Sequence, residues 1–158
     1  MLVNNMTKRI ILTCFLVIWM IVIFMFSNET GEASKNRSDG VARTTINVVT
    51  EVTNKNISKK EKEKMVDNTK AVIRKIAHFT LYFILGILVY FTLNSYGISK
   101  RIIIYSIGFC FIYAITDEIH QIFTTDRSFK VLDIFIDTSG ATLSNLIIFL
   151  IKNHKKSA

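Results

Sequence analysis

The 158-residue sequence contains no proline, so no helical segment is interrupted by a missing amide donor. Cysteine is nearly absent too. Cys14 and Cys110 both fall inside apolar runs, where a thiol acts as a small hydrophobe, which argues against a disulfide framework or a thiolate metal site. Compact metal-ligand motifs such as HExxH are missing, as are internal repeats and low-complexity tracts. Acidic residues are scarce, 12 against 20 Lys and Arg, which leaves a net charge of +8. A basic balance of this size can point to nucleic acid. Here the cations mostly flank apolar runs, a placement that suits anionic membrane lipids and speaks against a nucleic-acid partner.

Hydrophobic residues make up 50% of the chain and are clustered rather than spread, which points to an integral membrane protein. The length suits one domain over residues 1–158. Residues 10–26 (IILTCFLVIWMIVIFMF) carry no charge and follow Lys8-Arg9. The run is long and bulky for a signal peptide and no small-x-small cleavage site follows closely, so it is read as the first span, short but able to cross with local thinning. Residues 27–75 are polar and are expected outside the cytoplasm. Val41, Val48, Val49 and Val52 recur there at helical spacing, although the β-branched run 44–53 also suits a strand.

Ser58 followed by Glu61 matches a capping box. Beyond it Met65, Val66, Thr69, Val72, Ile73 and Ile76 form a narrow apolar stripe opposite many lysines, the pattern of an amphipathic helix at the membrane surface. That helix is expected to run into a second span at 76–94. Gly97 is the expected breaker of the next turn, the third span covers 101–121, and the fourth covers 131–151 and ends on Lys152, Lys155 and Lys156. Gly140 and Ser144 form a small-xxx-small pair that lets a neighbouring helix approach. The fold class is therefore all-α: an integral membrane four-helix bundle with an interfacial amphipathic helix before the second span.

Charged groups near a bilayer core are costly and usually have a task. The stretch 113–137, from the end of the third span into the start of the fourth, holds Asp117, Glu118, His120, Gln121, Asp126, Arg127, Asp133 and Asp137. Helical spacing puts Asp117, His120 and Gln121 on one face, Asp133 and Asp137 on another, and Arg74, His78 and Tyr82 on a third. Alternation of four spans brings all three groups to the same membrane face. Seven Lys and Arg lie at the opposite face and 13 at this one, 11 of them within 35–75. Because those 11 suit a folded interfacial helix and the first span usually dominates orientation, the polar face is expected to be extracytoplasmic.

RKIAHFTLYFILG (74–86), YAITDEIHQ (113–121) and DRSFKVLDIFIDTSGA (126–141) resemble, in this order, the VanZ-like family of membrane proteins. The family is named for a teicoplanin resistance determinant of Gram-positive bacteria. FSNET at 26–30 is a fainter match. The resemblance lands on Arg74, Lys75, His78, Tyr82, Asp117, Glu118, His120, Gln121, Arg127, Asp133, Asp137 and Gly140. Where the family often has Pro-Gly before the arginine, this chain has Thr125-Asp126. The resemblance implies a multi-pass protein of the cell membrane and reduced susceptibility to glycopeptide antibiotics, and it implies no settled reaction.

By chemistry the acid–base candidates are His78, Asp117, Glu118, His120, Asp133 and Asp137. Arg74, Lys75, Tyr82, Gln121 and Arg127 are the ligand-binding candidates, arginine being able to fork onto phosphate or carboxylate. His78, His120 and the carboxylates also suit zinc or manganese, but without a compact ligand motif the expectation is no cofactor and no metal, a divalent ion being a minor alternative. Three functions are compatible with these residues. The first is a binding protein that handles an envelope component, either the head of a lipid-linked cell-wall precursor or a lipoglycopeptide. The second is an enzyme acting on a phosphate or glycosidic linkage of such a precursor. The third is a small transporter, for which the remote halves of the spans offer only scattered hydroxyls. Against all three stands the plainer reading that helix ends meet water, or that ion pairs pin the spans together.

Overall fold

The structure, a computed structural model, describes residues 2–53 and 57–157. Residues 54–56 of the polar region lie outside those described, as does the side chain of Lys156. Five helices are present: α1 (Leu2–Ser27), α2 (Gly31–Val52), α3 (Lys59–Ser95), α4 (Ile102–Gln121) and α5 (Val131–Ser157). Four of them, α1, α3, α4 and α5, are long and apolar enough to cross a membrane. They coincide with the four expected spans, and the fold is all-α.

The amphipathic segment and the second span are one helix. α3 runs unbroken for 37 residues from a capping box at Ser58 and Glu61, a length of about 55 Å against a hydrocarbon core of about 30 Å. Its charged first turns therefore extend beyond the core, and α2 packs on them. The β-branched run 44–53 is helical, not a strand. Thr44, Thr45, Thr50 and Thr53 each donate a hydroxyl to the carbonyl four residues back, which satisfies the hydroxyl without leaving the helix. Ala42, Ile46 and Val66 close the small α2–α3 interface. Above it the Arg43 guanidinium forks onto Glu63 at 2.8 and 2.9 Å and also meets Asp39. Those hydrogen bonds, Glu63's foremost, raise Arg43 above its ordinary value and hold it charged.

α3 is the central helix and touches every other one, α5 most extensively. Gly140 and Gly86 make that approach possible. A Cβ on Gly140 would run into the Phe79 carbonyl, and one on Gly86 would come within 2.9 Å of the Ala141 Cα. Tyr82, Leu85, Val89, Cys110, Ala114, Ile134 and Ala141 fill the core between α3, α4 and α5. Cys110 is buried as expected, whereas Cys14 is exposed on α1.

At one end of the bundle Arg9 donates to the Ser95 carbonyl at 2.8 Å and Lys152 sits 4.7 Å over the Tyr90 ring. The turn there closes through Gly97 at φ 85, with Gly97 N donating to Asn94 O and Ile98 N to Leu93 O. Both bonds belong to a helix cap terminated by a left-handed glycine. At the other end Gly31 N donates to Thr125 O at 3.0 Å, which joins the start of α2 to the α4–α5 loop.

Candidate functional site

The second end of the bundle gathers the polar residues. Asp137 is its deepest member, 0% exposed. Gly140 lies one turn further along α5 and brings that backbone against Phe79, the neighbour of His78. As a result His78 Nδ1 stands 3.5 Å from Asp137 Oδ1. This is ion-pair distance rather than an aligned hydrogen bond, and neither Asp137 oxygen has a hydrogen-bond donor among the described residues. The same holds for the buried Tyr82 hydroxyl one turn along α3 and for the Thr138 hydroxyl. Asp117 and Asp133 lie within electrostatic reach of His78.

Glu118 and Asp117 are better partnered. The Glu118 side chain is fully buried, and its Oε2 accepts from Lys130 N at 2.7 Å. A carboxylate there ties down the start of α5 and complements the positive end of that helix. Asp117 accepts from Gln121 Nε2 at 3.3 Å, Gln121 Oε1 accepts from Arg127 Nη1 at 3.0 Å, and the buried Ser27 at the end of α1 also faces Asp117.

Arg127 continues this chain. It donates Nε to the Glu29 carbonyl at 3.0 Å and Nη2 to the Phe26 carbonyl at 3.2 Å. Burial, and then the like charge of Arg74, press Arg127 below its ordinary value, although a guanidinium stays charged throughout. Arg127 is thus bound by neutral acceptors, and among the described residues Arg74 has neither a hydrogen bond nor an ion pair. The loop that carries Arg127 turns at Asp126 with φ 59. That left-handed conformation suits the glycine which the resembling sequences often have before the arginine.

Arg74 and His78 line two grooves at once. One, of about 410 Å³, lies between α1, α2 and α3; its walls include Trp19, Val41, Ala77, Leu81 and Ile84, and Arg74, His78 and Arg127 stand at its polar end beside the Arg37–Glu29 pair. The other, of about 730 Å³, lies between α2, α3 and α5 and sets Lys35, Lys70, Arg74, Lys75 and Lys130 around Asp133.

Of the residues singled out from the sequence, the structure brings together His78, Tyr82, Asp117, Glu118, Gln121, Arg127, Asp133 and Asp137, with Arg74 at the mouth. Lys75 is exposed in the basic groove. His120 is not among them: its ring lies 4.5 Å from Phe24 and its Nε2 is 3.3 Å from Asn28 Oδ1, on the α1 side. Sequence reasoning missed Ser27, Arg37, Lys35 and Lys130. The spacing of Ser34, Arg37, Ser38 and Val41 on one α2 face was the available signal. It also missed Asn145, a buried amide in α5 that donates to Ala141 O at 2.8 Å. Among the described residues no three His, Cys, Asp or Glu side chains are arranged to hold a metal ion. The arrangement sets an unpartnered guanidinium, Arg74, which can hold an anion, beside an imidazole, His78, with a carboxylate at ion-pair distance.

The family model described as VanZ/LLP1 matches residues 12–152. No curated protein and no solved structure matches the chain significantly.

Proposed function

The chain belongs to the VanZ/LLP1 family of membrane proteins, and from that premise we propose that its cleft holds a component of the cell envelope and lowers susceptibility to lipoglycopeptide antibiotics such as teicoplanin. The protein resides in the cell membrane with the cleft facing outward, and its partners are membrane lipids and either a lipid-linked cell-wall precursor or the lipoglycopeptide itself. One observation carries the reading. Arg74, charged and without a protein partner among the described residues, stands where an apolar groove and a basic groove meet. An unpaired guanidinium in that setting is suited to an anionic group on an amphiphilic ligand. The test is expression of the chain and of Arg74→Gln in a susceptible host, with the inhibitory concentration of teicoplanin and membrane abundance measured together. The expected result is protection by the parent chain, and its loss in Arg74→Gln at unchanged abundance. Equal protection by both overturns the reading.

A second reading, that the cleft does chemistry on this ligand, is favoured by the His78–Asp137 pair. His78 faces both grooves with Asp137 at ion-pair distance behind it, a pairing of imidazole and carboxylate that a general base can use. Turnover of a lipid-linked precursor by the parent protein, abolished in His78→Gln with binding retained, separates this reading from binding alone.

A further inference from the structure

We infer that the ligand of this cleft is a membrane lipid whose phosphate carries more than one negative charge, a phosphomonoester or pyrophosphate, with its hydrocarbon chain in the groove between α1, α2 and α3. The inference rests on the cleft-binding reading above and names the chemical class it takes.

Depth and polarity match a lipid. Arg74 to Ile84 is ten residues of α3, about 15 Å along the axis, or about half of a 30 Å hydrocarbon core. The apolar walls at Trp19, Ala77, Leu81 and Ile84 thus reach about the depth of one leaflet, and the arginines stand at its surface. Trp19 is fixed in that wall by its Nε1, which donates to Leu81 O at 2.9 Å.

Charge selects the headgroup. At the polar end of the apolar groove Glu29 is taken by Arg37, which leaves Arg74 and Arg127 within electrostatic reach of each other. Carboxylates act on Arg127 from a distance, but its hydrogen-bond acceptors are neutral, so a shared anion at the two arginines replaces no ion pair. In the adjoining groove Lys70 is paired with Asp67, and Asp133 is the single carboxylate among the described lining residues. Lys35, Lys75 and Lys130 add to the positive surplus around Arg74. A phosphodiester brings one negative charge; a phosphomonoester brings close to two at neutral pH, and a pyrophosphate brings more. The Arg74 Nε has no hydrogen-bond partner among the described residues, so binding a phosphate at this guanidinium breaks no protein hydrogen bond.

Trp19 is the sole tryptophan of the chain, so its fluorescence reports directly on the groove. The full chain is placed in phosphatidylcholine nanodiscs, and Trp19 quenching is followed as phosphatidic acid, phosphatidylglycerol or diacylglycerol with brominated chains is added, against a brominated phosphatidylcholine baseline. Phosphatidic acid is expected to quench at about tenfold lower mole fraction than phosphatidylglycerol, a difference of about 1.4 kcal/mol, with diacylglycerol at baseline. Arg74→Gln is expected to lose that advantage, and Ala77→Phe, at an exposed position of the groove wall, to weaken quenching by every lipid.

Equal quenching by phosphatidic acid and phosphatidylglycerol overturns the charge assignment. Equal quenching by diacylglycerol shows that no headgroup is read. Phosphatidic acid bound in native mass spectra without quenching Trp19 overturns the placement of the chain, and displacement by inorganic phosphate at equal affinity makes this a site for free phosphate. Should teicoplanin protection depend on Arg74 while phosphatidic acid fails to bind, this inference falls and the proposed function stands. Should phosphatidic acid bind as expected without any protection, the inference stands and the proposed function falls.

Discussion

Removing His78 should destabilise the protein more than removing Asp137. The 3.5 Å separation gives a gross attraction of about 5 kcal/mol at an effective dielectric of about 20 for a protonated imidazole, much of it offset by desolvation. The two partners differ in what they have left. Asp137 is 0% exposed and has no hydrogen-bond donor among the described residues. The His78 side chain is 17% exposed, lines both grooves, and can remain neutral without its partner. Asp137→Asn therefore keeps the volume and should cost about 1 kcal/mol, because the ion-pair attraction it loses is largely offset by the carboxylate desolvation it relieves. His78→Gln strands a buried carboxylate and should cost about 3 kcal/mol. Protonating an ordinary aspartate at pH 7 takes about 4 kcal/mol, and this caps the loss. The double variant should lie about 2 kcal/mol closer to the parent than the two single losses added together, within the usual range for contacting residues. Thermal unfolding in detergent is the assay, at about 2–4 °C per kcal/mol for a chain of this size. Additive losses, or a His78→Gln variant as stable as the parent, would show that the two groups do not interact.

Three further expectations use other parts of the structure. Asp126→Gly should raise the melting temperature by about 2 °C, because a left-handed residue that is not glycine carries about 1 kcal/mol of strain; a lower melting temperature contradicts the loop geometry. Gly140→Ala should destabilise by about 1–3 kcal/mol by overpacking against the Phe79 backbone. Gly108→Ala, where nothing lies within 4 Å of an added Cβ, should stabilise by up to about 1 kcal/mol through helix propensity, and the same sign for both variants argues against the α3–α5 contact. In a Cys14→Ser, Cys110→Ser background, an impermeant thiol reagent applied to intact cells should label Asn36→Cys and spare His154→Cys, both exposed positions; the opposite pattern reverses the proposed orientation.

What the sequence determined by itself was whatever depends on near neighbours along the chain. Uninterrupted apolar runs placed the four spans, Ser58 and Glu61 marked the start of α3, Gly97 marked its end, and Gly140 announced a close helix contact. Each of these follows from a 3.6-residue period, a cap or a backbone angle, all read within a few residues. The tertiary structure decided which of the gathered polar groups meet. His120 shares a helix face with Asp117 by spacing yet packs on Phe24 of α1 and Asn28 just beyond it, because the position of α1 against α4 has no local signature. Glu118 caps α5 and Asp137 does not, although both are buried acids in apolar surroundings. The β-branched stretch of α2 became helix because its hydroxyls found carbonyls four residues back and Ala42 and Ile46 found Val66. The two grooves joined at Arg74 are furthest from the sequence: they arise where α1, α2, α3 and α5 leave space between them, and that space is set by how the helices pack rather than by any single helix.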